Sequence, residues 1–131
     1  MDDRVRGLVE TTIQTIVGLD VALFYQENPS TFDTAEGVAL RTHRNVADVR
    51  LTIERLVGGG LLERHERGEG RYTCYSVAPG QEAWDLLCLL SEAYIDDLES
   101  RKEIVRALVR GQKESREIGR GTESGGGGDG A

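Results

Sequence analysis

Residues 33–80 read DTAEGVALRTHRNVADVRLTIERLVGGGLLERHERGEGRYTCYSVAPG, and the order of elements in this stretch decides the fold. Thr34 is placed to cap a short helix over Ala35–Leu40, which turns Val38, Ala39 and Leu40 toward a core. Asn45 caps a longer helix, and Asp48 stands three residues on, where it can return the bond. Inside that helix Val46, Val49, Ile53, Leu56 and Val57 recur at the spacing of one helical stripe. Gly58-Gly59-Gly60 ends it, because glycine alone takes left-handed angles without steric cost. Leu61-Leu62 opens a strand, LLERHE, and Arg67-Gly68-Glu69-Gly70 is a flexible turn. Arg71–Val77 is the return strand, with Tyr72, Cys74 and Ser76 on one face and Thr73, Tyr75 and Val77 on the other. Two-sided patterning of this kind suits a hairpin with one face on a helical core.

Upstream, residues 4–27 have the apolar face of a helix, with Gly18 as its expected break, and Asn28-Pro29-Ser30 stops it. Downstream, a long helix starts after Pro79-Gly80. Ala83, Trp84, Leu87, Leu90, Tyr94, Leu98, Val105 and Leu108 keep a near-heptad stripe to about Val109. At ~1.5 Å per residue such a helix is about 45 Å long. A small domain cannot cover both its ends, so a second copy of the chain is expected to pair with it through Trp84, Leu87, Leu90, Tyr94, Leu98 and Val105. The alternative is a helix lying along its own N-terminal helix. Residues 119–131 hold seven glycines and cannot build a core, so they are expected to be disordered. The expected division is an N-terminal helical extension over 1–19, a central domain over 20–79, the long dimerisation helix over 80–118 and the Gly-rich tail over 119–131. The fold class is mainly α with a small antiparallel β-hairpin.

The 131-residue chain has room for one small domain with appendages, and only two prolines interrupt it. No apolar run approaches the roughly 18–20 residues that span a bilayer, and the start, MDDRVRGLVE, lacks the basic and apolar regions of a secretory signal. Cys74 and Cys88 form no CxxC, and neither makes ligand spacing with His43 or His65. Two reduced thiols in a cytoplasmic protein without a metal or other cofactor are therefore expected. The net charge is −7, which argues against indiscriminate nucleic-acid binding. Its distribution is uneven. Residues 1–40 carry two Arg against seven acids, whereas residues 41–71 carry seven Arg against five.

With these elements in place, the chain resembles bacterial and archaeal winged helix-turn-helix transcriptional regulators, closest in pattern to the multiple-antibiotic-resistance-repressor and arsenic-repressor types. One string that carries the likeness is VxxxIxRLVxxGLL, realised as Val49, Ile53, Arg55, Leu56, Val57, Gly60, Leu61 and Leu62. The other is YSVAPGQEAWDLL, near the strand-to-helix junction Y-x-L-T-x-x-G of such proteins, with Ala78 where threonine is usual. The likeness covers about residues 20–90. It implies a sequence-specific, homodimeric regulator that sets the 45–57 helix in the major groove of double-stranded DNA and uses the 62–77 hairpin as a wing.

The residues themselves give that reading uneven support. With Val49, Ile53 and Leu56 inward, the outward face of the reading helix is Ala47, Asp48, Leu51, Glu54 and Arg55. Phosphates repel acids, although Asp48 could accept from cytosine N4. Cations stand around the rim instead. Arg41 and Arg44 precede the helix, and Asn45 and Arg50 flank its positive end. The hairpin adds Arg64, His65, Arg67 and Arg71, alternating with Glu63, Glu66 and Glu69, which could pair with them in solvent. The rival function is a winged-helix adaptor that binds protein, with Leu51 as its anchor. A lesser option is an apolar effector held between the terminal helices near Trp84 or Tyr94. No GxSxG, Walker loop, HExxH or dinucleotide fingerprint occurs, so no enzyme is expected.

Overall fold

The computed structural model describes the backbone of residues 1–125 and the side chains of residues 1–112. Helix α1, Asp3–Leu8, is capped by Asp2, whose carboxylate accepts from the Arg4 amide at 2.7 Å. It passes into a π-helical turn over Val9–Ile13 and stops at Gln14, whose φ of 61° is left-handed. Thr15 then caps α2, Ile16–Glu27, by accepting from the Gly18 amide at 2.9 Å. The expected single helix over 4–27 is thus two helices bent by 116°. The break lies at Gln14–Thr15 and not at Gly18. Gly18 matters for another reason. A Cβ there would collide with the carbonyl oxygen of Ile13, so glycine lets the chain fold back sharply.

A two-residue strand, β1 (Asp33–Thr34), precedes α3, Ala35–Thr42, which Thr34 caps through the Gly37 amide at 3.1 Å. His43, at φ 59°, makes the turn into α4, Val46–Gly58, capped by Asn45. The side-chain carbonyl of Asn45 accepts from the Ala47 amide at 2.8 Å and from the Asp48 amide at 3.3 Å. Val49, Ile53 and Leu56 are fully buried, as their spacing predicts. Of the three glycines, only Gly60 takes a left-handed angle, at φ 84°. The Leu61 amide reaches back to the Leu56 carbonyl at 3.0 Å and closes the helix end.

Strands β2 (Leu62–Arg67) and β3 (Tyr72–Val77) form the hairpin, with Arg67 opposite Tyr72 and Leu62 opposite Val77. The sheet has three strands in the order β1-β3-β2, because Asp33 and Thr34 pair with Tyr75 and Cys74. Two residues carry no readable alternation, which is why the sequence shows only the hairpin. Tyr25 of α2 pins the middle strand: its buried hydroxyl donates to the Tyr75 carbonyl at 3.0 Å. Burial pushes the Tyr25 hydroxyl well above its ordinary pKa, so it stays a donor.

The C-terminal region departs most from expectation. Helix α5, Gln81–Ser91, starts without a side-chain cap, because its N-cap residue is Gly80. It relaxes into a π-helical turn over Glu92–Asp96 and ends at Asp97, whose φ of −132° and ψ of 104° are extended. Helix α6 then runs Leu98–Gly125. The Asp97 carboxylate accepts from the Ser100 amide at 3.2 Å, and Arg101 donates to the carbonyls of Tyr94 at 2.6 Å and Ile95 at 3.3 Å. These bonds satisfy the groups that the break leaves open. A single helix through residues 81–109 is therefore corrected to two. Helix α6 returns along the Val9–Ile13 turn, burying Ile104 and Leu108, while Arg6 of α1 pairs with Glu103 at 3.0 Å. One core results, to which residues of 1–19 (Val5, Val9, Ile13) and of 80–118 (Leu87, Leu90, Ile104) contribute along with the central stretch. Helix α6 also continues past the boundary expected at 118, and residues 126–131 lie outside the described residues.

Candidate nucleic-acid interface

Strand β2 packs against α4, and the residues expected to meet DNA lie in α3, the turn after it, α4 and the hairpin. Asn45 is exposed, but its side chain is engaged in capping. Asp48 is exposed and keeps its carboxylate free of any cation among the described residues. Leu51 is also exposed, at 70%. Leu40, expected in the core, is 77% exposed. Helix α3 is two turns long, and Val38 and Ala39 already fill its inward side.

The arginines divide into two groups. Arg44 is bound to Asp20 of α2, its Nε donating to the carboxylate at 2.7 Å. Arg50 pairs with Glu36 of α3, and Arg64 with Glu54 of α4. Arg41 lies 3.9 Å from Asp33 and stacks over Phe24 at 4.9 Å. Arg55, on the outward face by spacing, donates instead to the Ile13 carbonyl at 3.4 Å and is half-buried. At the hairpin end matters differ. Among the described residues neither Arg67 nor Arg71 pairs with a carboxylate. Arg67 instead covers the ring of Phe32 at 5.2 Å, and His65 packs against the same ring at 4.9 Å. Among the described residues no hairpin arginine pairs with Glu63, Glu66 or Glu69, and His65 Nε2 lies 3.4 Å from Glu63.

Glu54 is the best-engaged acid of the interface. Arg64 and the Tyr75 hydroxyl, which donates at 2.6 Å, hold its carboxyl below the ordinary 4.5. Burial and the same carboxylate push the Tyr75 hydroxyl up to about 12. Phe32 and Tyr75 are site residues that the sequence does not single out. The alternation of β3 puts Tyr75 on one face with Thr73 and Val77 but does not say which face is inward, and Cys74 and Tyr75 are both buried; Phe32 lies in a loop where no periodicity speaks.

The residues expected to pair two copies are distributed through the protomer. Leu87 and Leu90 are fully buried in its own core, Trp84 and Tyr94 pack against that core, and Val105 is half-buried. Leu98 is exposed at 60%. Helix α6 takes the Val9–Ile13 turn of its own chain as partner through Ile104 and Leu108. The groove between the terminal helices, about 200 Å³, is lined by Arg6, Glu10, Glu103, Arg106 and Arg110 over Val9 and Ala107, and not by Trp84 or Tyr94. No cluster of metal-ligating side chains occurs among the described residues. No single helix among them is long and apolar enough to cross a membrane.

No family model matches the chain, and no curated protein matches it. Two solved structures are similar. One is described as a possible transcriptional regulator from Methanosarcina mazei Go1, with a TM-score of 0.53 and 14% identity over 77% of this chain and 84% of that one. The other is a point mutant of Lactococcus lactis ZitR, with a TM-score of 0.47 and 13% identity over 79% of this chain and 71% of that one. At such identity the first likeness speaks to the fold, which is that of a winged helix: a mostly helical chain with a small three-stranded antiparallel sheet.

Proposed function

We propose that the chain is a DNA-binding transcriptional regulator that sets α4 in the major groove and the hairpin along the backbone. The observation that carries this reading is the pair of arginines at the hairpin end, Arg67 and Arg71, which have no carboxylate partner among the described residues. They extend from the hairpin that Arg64 joins to Glu54 of α4, the helix whose start is exposed. Arg41, Arg44 and Arg50 lie before and within the first turns of that helix and can exchange part-exposed carboxylates for phosphates at a cost of about 0–1 kcal/mol per pair. The similarity to a structure described as a possible transcriptional regulator supports the same function. Free thiols at Cys74 and Cys88 accord with a cytoplasmic setting.

The regulator works as a homodimer in this reading, through the end of the expected stripe that the protomer leaves open, Leu98 and Val105, extended to Val109. On α6, Leu98, Val105 and Val109 are spaced seven and four residues apart, on the face beside the buried Ile104 and Leu108. Leu98 and Val109 are 60% and 53% exposed. A twofold dimer implies half-sites about 34 Å apart. Selection of duplexes from random DNA under a salt titration tests the function: enrichment of a pseudo-palindrome with salt-dependent binding supports it, and no salt-dependent binding to any duplex sinks it. Sedimentation of wild type and of Leu98→Glu with Val109→Glu tests the dimer, which should become a monomer in the variant.

A second reading is favoured by the exposure of Leu40 and Leu51, two large apolar side chains on the helix-turn-helix. A winged-helix adaptor would use them, with Asp48 beside them, to dock a protein. Leu51→Arg separates the two functions: it should abolish a protein complex and leave or strengthen DNA binding.

A further inference from the structure

Glu54 occupies a junction that neither its charge nor its position on α4 explains. Its carboxylate receives Arg64 from β2 and the Tyr75 hydroxyl from β3, the latter at 2.6 Å and the Arg64 Nε at 3.2 Å. Arg64 and Tyr75 are direct cross-strand partners, so both side chains leave the same rung of the hairpin on the same face. Tyr75 is held at its other end too, since its carbonyl accepts the buried Tyr25 hydroxyl at 3.0 Å. The hairpin end lies three rungs further out, where Arg67 faces Tyr72. Between α4 and the hairpin, the rung of Arg64 and Tyr75 is the point at which both strands bond one helix side chain, while the end beyond it rests on Phe32 through His65 and Arg67.

We propose that Glu54 is a positioning residue: with Arg64 and Tyr75 it clamps the hairpin to α4, so that Arg67 and Arg71 and the start of α4 are presented to one stretch of DNA as a rigid unit. This rests on the DNA-binding reading above. The clamp takes Arg64 out of the set of phosphate-binding cations, and Glu54 out of the set of base readers. Its members stay in the bonded forms at neutral pH, because the carboxylate is held ionised and the phenol held protonated. An acid on a DNA-facing helix ordinarily repels phosphate, so removing it should tighten binding. The clamp predicts the opposite sign.

The test measures duplex affinity and backbone amide exchange in wild type, Glu54→Ala, Glu54→Gln, Tyr75→Phe and Glu66→Gln. Glu66→Gln makes the same change of charge on the hairpin outside the clamp. Glu54→Ala should weaken binding about fivefold, in the range for directly coupled side chains, and should lower the further loss caused by Arg67→Ala. Glu54→Gln, which keeps an acceptor for Tyr75, should restore part of the loss, and Glu66→Gln should bind more tightly than wild type. Amides of β2 and β3 should exchange about tenfold faster in Glu54→Ala and Tyr75→Phe, while those of α2 remain protected. Tighter or unchanged binding by Glu54→Ala overturns the proposal. So does unchanged exchange in the hairpin, whether or not the protein binds DNA. If wild type binds no duplex, the DNA-binding reading fails and the exchange rates decide the clamp separately.

Discussion

The start of α4 and the end of the hairpin carry similar numbers of arginines, yet the protein treats them differently. Arg41, Arg44 and Arg50 each lie against an acid supplied by an earlier part of the chain. Among the described residues Arg67 and Arg71 do not, and Arg67 lies against the face of an aromatic ring instead. A cation that is already neutralised gives up part of its gain when it meets a phosphate, whereas a free one gives up only counterions and water. Counting basic residues by segment therefore overstates the helix side and understates the hairpin.

This contrast can be broken most directly at the hairpin. Arg67→Ala and Arg71→Ala together should weaken binding by about tenfold each and lower the slope of log affinity against log salt by about two in total, as read by salt-titrated anisotropy. A loss confined to one sequence would place these residues on bases instead. Asn45→Ala should come next, since removal of such a cap costs about 1 kcal/mol, seen as a lower midpoint in thermal unfolding. On the helix side Arg44→Ala should cost about threefold in affinity, less than either hairpin residue, and Asp20→Asn should strengthen binding by a similar factor. If Arg44 proves the larger, the ion pair with Asp20 does not restrain it. The smallest effect is that of acid. Glu54 has a lowered pKa in the folded chain, so the stability it contributes is complete above its ordinary value of 4.5 and is lost as pH falls through the folded value. Denaturant midpoints measured from pH 6 downward should fall less steeply in Glu54→Gln than in wild type.

Much of the fold is legible because it is local. The caps at Thr34 and Asn45 and the inward stripe Val49, Ile53, Leu56 depend on neighbours within four residues, and all are found. The misreadings share a cause. The stripe from Ala83 to Leu108 keeps its period across Asp97, where the backbone does not, because both helices bury apolar residues in the same core. Gly18 looks like a helix breaker, and it is in fact the point of close approach just after the break. Composition assigns Leu40 inward, but a helix ending at Thr42 has no core left to offer it.

The candidate site is less legible than the fold. Its residues can be named from the sequence, but their availability cannot. Arg44 finds Asp20 across 24 positions, Arg50 finds Glu36 across 14, and Glu54 gathers Tyr75 across 21. By itself the sequence determined the helix-turn-helix and hairpin, because periodicity, caps and glycine stops act through bonds between near neighbours. The tertiary structure alone decided which cations are free, where the terminal helix turns back and what Glu54 holds, because those depend on which distant elements the shared core brings together.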